Sequence, residues 1–170
     1  MRPRLRRSPP EARSGDLEAA REAALRLLER TRRTRSDLAR RLREKGFVPE
    51  VTEQVLERLA GVGLVDDVEY GRAWLAERWG RRPAGWRRLE QELRMRGVSA
   101  EDIARARSRL EEEQGGADEV AAARKVVAQA ERRYRSLDPR VRRQRLYALL
   151  ARRGFDGDTI EQALRAEPPS

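Results

Sequence analysis

The sequence predicts an all-α chain of three tandem three-helix modules forming an elongated, curved array. Two observations carry this. Leu38, Leu42 and Gly46 recur as Leu89, Leu93 and Gly97 and again as Leu146, Leu150 and Gly154, each glycine followed by an apolar residue. The glycines lie about 51 and about 57 residues apart, and self-similarity at such a period is the signature of repeat architecture. Apolar residues also fall at helical spacing over most of the length, with capping residues ahead of them.

Residues 1–15 mix Arg, Pro, Ser and Gly without periodicity and read as a disordered basic arm. Module 1 spans 16–64. Its first helix starts at Asp16 and carries Leu17, Ala20, Ala24, Leu27 and Leu28 on one stripe. Ser36 is the expected cap of the second helix, which turns Leu38 and Leu42 inward and ends at Gly46 in a left-handed turn. Phe47 then plugs the core, and Pro49 opens a third helix with Val51, Val55, Leu56 and Leu59.

Gly61 and Gly63 break that helix, and module 2 spans 65–113. Asp66 and Glu69 form an aspartate version of the capping box before Tyr70, Ala73, Trp74 and Leu75. Arg81 to Gly85 makes a turn; Trp86, Leu89 and Leu93 run to Gly97 and Val98; Ser99 and Asp102 cap a helix through Ile103, Ala106 and Leu110. Residues 114–118 read as a linker. Module 3 covers 119–166, with Val120, Val126 and Val127 on its first helix and Asp138-Pro139 as cap and first-turn proline of the next. Leu146, Leu149 and Leu150 lead to Gly154 and Phe155; Asp156 caps the last helix, and residues 167–170 form a tail. Units of about 50 residues bury little apolar surface alone, so neighbouring modules are expected to lend packing to one another.

Composition narrows function. The 170 residues contain no cysteine and no histidine, which excludes disulfides, thiolate catalysis and imidazole proton transfer, and removes the commonest metal ligands. No Walker-type phosphate loop occurs, and the 29 acidic residues are interspersed with arginines at helix-pair spacing. We therefore expect no enzyme, no cofactor and no metal. The amino-terminal stretch lacks an apolar h-region and no apolar run approaches the roughly 20 residues of a membrane span, so the expected location is the cytoplasm.

The net charge is +10, with +6 in residues 1–35, zero in 36–117 and +4 in 118–170. Such ends attract polyanions in a salt-dependent way. Two arginine clusters are candidate contacts with a partner or a nucleic acid. Arg81, Arg82, Arg87 and Arg88 surround the turn of module 2; Arg132, Arg133, Arg135, Arg140, Arg142, Arg143, Arg145, Arg152 and Arg153 face only Glu131 and Asp138 within 131–153. The alternative is that helical arginines cover apolar flanks with their stems. Trp74, Trp79 and Trp86 read first as core, and Trp79, between Arg78 and Gly80, is the one best placed for exposure.

Four stretches, "LREKGF" at Leu42 to Phe47, "VLERLAGVGLVDD" at Val55 to Asp67, "RRLEQELRMRGV" at Arg87 to Val98 and "LYALLARRGF" at Leu146 to Phe155, resemble the RecX family of bacterial regulators. The resemblance covers about residues 20 to 165. It departs at Gly85-Trp86, where the family often has Gly-Pro, and at Tyr70-Gly71, where it often has Phe-Ala; both are packing positions. The resemblance implies a non-enzymatic protein that binds the RecA recombinase and its filament on single-stranded DNA and restrains filament extension, ATP hydrolysis and strand exchange; the chain itself is expected to be a monomer. Direct nucleic-acid contact is a further partner class, and no membrane is implied. The alternative is a sequence-nonspecific DNA-binding protein of helix-turn-helix-like modules, against which stands the absence of asparagine, a common base-reading side chain.

Overall fold

The computed structural model describes residues 15–114 and 118–165, and among these all regular structure is helical. The elements are α1 (Leu17–Leu28), α2 (Arg35–Glu44), α3 (Pro49–Gly61), α4 (Asp67–Arg81), α5 (Trp86–Met95), α6 (Ala100–Gln114), α7 (Glu119–Tyr134), α8 (Pro139–Arg152) and α9 (Gly157–Arg165). The expected arm, apart from Gly15, the linker glycines Gly115 and Gly116, and the tail lie outside the described residues.

Each set of three helices is punctuated alike. An aspartate caps the first helix: Asp16 accepts from the Ala19 N–H at 3.0 Å, Asp66 from Glu69 at 2.9 Å and Asp118 from Ala121 at 2.9 Å. The second helix ends at Gly46, Gly97 or Gly154, whose φ values of +92°, +81° and +85° suit a residue without Cβ. The chain then doubles back, and the Phe47 and Phe155 N–H groups donate to the carbonyls of Leu42 and Leu150 at 3.2 and 3.3 Å. Pro49 sits in the first turn of α3, while Ser99 and Asp156 accept from Asp102 N–H and Thr159 N–H at 3.0 and 2.8 Å.

One expected cap moves. α2 begins earlier than Ser36 predicts, because Thr34 Oγ1 accepts from the Asp37 N–H at 3.1 Å and donates to the Arg96 carbonyl at 2.8 Å. Thr34 thereby satisfies two backbone groups at once and is itself buried. Ser36 instead lies inside the first turn of α2, where Gly97 closes on it so tightly that a Cβ there would come 2.3 Å from the serine Cβ.

The described residues separate into two compact units, one running through Tyr70 and including Arg96–Val98, the other comprising Gly71–Met95 and the chain from Ser99 onward. In the first, Ala20, Ala24, Leu38, Leu42, Phe47, Val55, Leu56, Leu59 and Val65 form one buried cluster. Leu38, Leu42 and Leu56 are fully buried, and each such side chain contributes about 1.5–3 kcal/mol. In the second unit, Leu75, Leu89, Leu93, Ile103, Ala106 and Leu110 are buried, and a further cluster gathers Ala122, Ala123, Val126, Leu146, Leu150, Phe155 and Ile160. On α4 the buried apolar side chains are Val68 and Leu75, while Ala73 and Trp74 are half-buried.

The amino terminus of a second helix receives an acid in both units. In the first, the Arg35 N–H donates to Asp67 Oδ1 at 2.8 Å; in the second, the Trp86 N–H donates to Glu119 Oε1 at 3.0 Å. Asp67 and Glu119 each directly follow the capping aspartate of a first helix, whereas Leu17 holds that place after Asp16. α8 differs from α2 and α5. It has one more turn before its repeated leucine, opened by Pro139 with Asp138 accepting from Arg140 N–H at 2.9 Å. That turn accounts for most of the longer second interval between glycines.

Candidate functional site

The second unit contains a close approach of two glycines that brings distant arginines together. Gly85 N–H donates to the Arg153 carbonyl at 3.0 Å, and a Cβ on Gly85 would lie 2.1 Å from the Gly154 oxygen. Conversely, a Cβ on Gly154 would meet the Arg88 Cβ at 2.5 Å. The Arg88 guanidinium donates from Nη1 to the Arg152 carbonyl at 3.2 Å. Any side chain in either place would force these backbones apart.

Around this contact lies a cleft of about 460 Å³ lined by Arg78, Arg81, Arg82, Pro83, Ala84, Arg88, Gln129 and Arg153. Its cations are of two kinds. Arg78 reaches both oxygens of Glu92 at 3.2 and 3.1 Å, and Arg88 Nε donates to the same carboxylate at 3.0 Å. Burial would raise the Glu92 pKa, but the hydrogen bonds from Arg88 and Arg78 outweigh it and hold the carboxyl below its ordinary value. Glu92 is therefore an anchor for two guanidiniums. Arg78 also lies 5.8 Å from the centre of the Trp74 ring, and its buried Nε has no hydrogen-bond partner among the described residues.

The remaining three arginines are more available. Arg81 pairs with Glu77 at 3.0 Å, both side chains mostly in solvent, where such a pair is weak. Arg82 and Arg153 have no ion-pair partner among the described residues. Five guanidiniums thus face two carboxylates, Glu92 and Glu77. Guanidinium forks gathered in this way suit the recognition of phosphate or carboxylate groups.

The structure brings together Arg81, Arg82, Arg88 and Arg153 from the two predicted clusters and leaves the others outside the cleft. Arg87, Arg132, Arg133, Arg135, Arg140, Arg145 and Arg152 are exposed elsewhere and Arg142 is half-buried. Arg143 pairs with Glu161 at 2.6 Å, and Arg133 lies 5.7 Å from the Tyr134 ring centre. Arg78 and Gln129 join the site without having been singled out by the sequence. Arg78 was discoverable, since it lies three and four residues before Arg81 and Arg82 and so shares their helical face.

Trp79 is half-buried, in line with its first reading as core and not with the exposed alternative. Its ring stacks on Trp86 with centroids 4.6 Å apart and planes at 24°, and it packs against the cluster built on α7, α8 and α9. Arg107 sits 4.4 Å from the centre of the Trp86 ring, and Trp86 is only 5% exposed. Flanking polar residues do not expose Trp79, because a neighbouring aromatic covers it. Among the described residues no helix is long and apolar enough to cross a membrane, and no group of acidic side chains is placed to hold a metal ion.

Comparison with known proteins gives a consistent result. Residues 20–59, 66–106 and 117–164 match in order the family models described as RecX, first, second and third three-helix domain. The chain is 40% identical over 155 residues to a regulatory protein RecX of Streptomyces coelicolor, covering 89% of this chain and 80% of that protein. It is 34% identical over 159 residues to the one from Mycobacterium leprae, covering 94% and 91%. The crystal structure of RecX from Lactobacillus salivarius superposes with a TM-score of 0.79 at 18% identity, over 88% of this chain and 95% of that one. A second crystal structure, of a regulatory protein RecX, gives 0.76 at 26% identity, over 88% and 71%.

Proposed function

Because the chain belongs to the RecX family of regulatory proteins, we propose that it is a non-catalytic modulator of the RecA recombinase in DNA repair and recombination. It binds RecA and the RecA filament on single-stranded DNA in the cytoplasm, and restrains filament extension, ATP hydrolysis and strand exchange. The observation that supports this reading is the ordered match of all three family domains along one chain. A tandem array suits a repetitive partner, since several weak sites gain avidity when geometry lets them engage together. A cleft lined by five arginines is in keeping with a regulator that engages an anionic partner.

DNA-dependent ATP hydrolysis by RecA, measured with substoichiometric amounts of this protein, tests the reading. We expect the hydrolysis rate to fall well beyond one RecA subunit per added chain, because a restrained filament loses many active subunits. An unchanged rate would sink it. Steeply salt-dependent DNA affinity with no effect on RecA would instead favour a sequence-nonspecific DNA-binding protein.

A further inference from the structure

The cleft of the second unit carries more positive charge than its own carboxylates offset, and we propose that it binds phosphates of a single-stranded nucleic-acid backbone directly. Arg82 and Arg153 make the contacts, and Arg78 and Arg88, tied to Glu92, shape the wall behind them. This deepens the proposed function by assigning the strand, rather than the recombinase, to this cleft, and it rests on that reading for its biological setting alone.

The wall of the cleft is preorganised. Glu92 fixes two guanidiniums by three hydrogen bonds, so little side-chain freedom is lost there when an anion arrives. Arg82 and Arg153, from different helical modules, are held near each other by the bond between Gly85 N–H and the Arg153 carbonyl at 3.0 Å. Their forks have no carboxylate to release before taking a phosphate. The shape of the cleft also suits a strand. A volume of about 460 Å³ is in the ordinary range for small-ligand pockets. A flexible strand can lay one or two phosphates into such a concavity, whereas a duplex carries its phosphates on the outside of a stiff cylinder.

The lining also says what is read. It contains no aromatic ring, and Trp79 and Trp86 are stacked on each other, so bases have no stacking platform in the cleft. Recognition is of the backbone and independent of sequence. An acidic protein segment fits less well, since only Pro83 and Ala84 offer the apolar contact that the centre of a protein interface uses.

The experiment uses the full chain without RecA and a fluorescent oligothymidylate, with affinity read by anisotropy across a salt series. The double variant R82A/R153A should bind at least tenfold more weakly at low salt. Its log–log salt slope should flatten by about 1.4, at roughly 0.7 per lost phosphate contact on a single strand. R30A/R109A, which removes equal charge outside the cleft, should bind within about twofold of wild type, and circular dichroism should show both variants folded. Unchanged affinity of R82A/R153A, or an equal loss in R30A/R109A, would overturn the proposal. So would polyglutamate, or free ATP, displacing the strand as well as unlabelled strand does at matched charge, since the cleft would then belong to an acidic protein or a free nucleotide. RecA is absent from this assay, so its failure alongside intact restraint of RecA ATP hydrolysis removes the cleft assignment and leaves the proposed function standing.

Discussion

The Trp86 backbone N–H donates to Glu119 Oε1 at 3.0 Å, so the first helical residue of α7 closes the amino terminus of α5. The same relationship joins Arg35 N–H to Asp67 Oδ1 at 2.8 Å. An acid after the capping aspartate therefore has a structural role. It supplies an acceptor to an otherwise unpaired N–H of another helix. Glu119→Ala should cost about 1–2 kcal/mol, because it leaves a partly buried donor unpaired. Burial raises the Glu119 pKa, and neighbouring Asp156 and Glu90 add to this, while the Trp86 N–H and Arg107 oppose it. A raised carboxyl favours the folded state most below its ordinary pKa, and the benefit is lost as pH rises through the folded value. Glu119→Gln keeps an acceptor without the charge, so at neutral pH it should stay within about 0.5 kcal/mol of wild type. Urea melts at pH 7 check both; an equal loss in the two variants would show that the charge, not the acceptor, matters.

Gly85→Ala and Gly46→Ala separate two reasons for glycine. Gly46 has φ +92° but open space where a Cβ would go, so alanine there carries backbone strain alone, about 1 kcal/mol. Gly85 has no positive φ, yet its Cβ would lie 2.1 to 2.4 Å from backbone atoms of Gly154 and Phe155. That contact requires a backbone shift and should cost about 2–3 kcal/mol or more. Denaturant midpoints of the two variants should fall in that order, and a Gly46→Ala loss larger than that of Gly85→Ala would contradict the close packing.

Asp37 predicts acid sensitivity in the first unit. Burial would raise its pKa, but hydrogen bonds from Arg41, Arg33 and Arg40 bring it down from 3.8 to about 2. A depressed carboxyl contributes stability above its ordinary pKa and loses it as pH falls through the folded value. The network is partly open to solvent, so after screening the contribution at neutral pH is about 1 kcal/mol. Asp37→Asn should melt below wild type at pH 6, and the difference should shrink between pH 4 and pH 2 as wild-type Asp37 takes up its proton. A difference constant across that range would mean the arginines do not hold the charged form.

The helices and turns were legible because each rests on local chemistry. Leucines four apart followed by glycine specify a buried stripe and a left-handed stop, and Leu38, Leu89 and Leu150 are fully buried. The cap of α2 is ambiguous in sequence because Thr34 and Ser36 are both good caps, and the choice falls to the Arg96 carbonyl, far along the chain. The cleft has the same character. Arg88 and Arg153 each stand in a visible arginine cluster, but their meeting depends on Gly85 fitting against Gly154. In the sequence Gly85-Trp86 stands out only as a departure at a packing position. Its glycine is the contact surface and its tryptophan supplies the N–H that Glu119 receives.

A chain ending at Glu113 tests how far α4 and α5 depend on the third set of helices. It would lose Glu119 and Arg153, leaving the Trp86 and Gly85 N–H groups without these acceptors. It would also uncover the face of Trp79 that packs on the cluster of α7, α8 and α9. Tryptophan emission should shift to the red and the melting temperature should fall. Trp79→Ala in the full chain, which removes the stacking partner of Trp86, should cost about 3 kcal/mol. R82A/R153A should leave emission unchanged, because neither side chain touches the stacked pair in the ring contacts of this unit. Loss of RecA restraint on truncation therefore combines a missing contact surface with a disturbed Trp79–Trp86 pair, whereas loss in R82A/R153A isolates the contact. Unchanged emission in the truncated chain would show that the pair is held by α4, α5 and α6 without the helices of the third module.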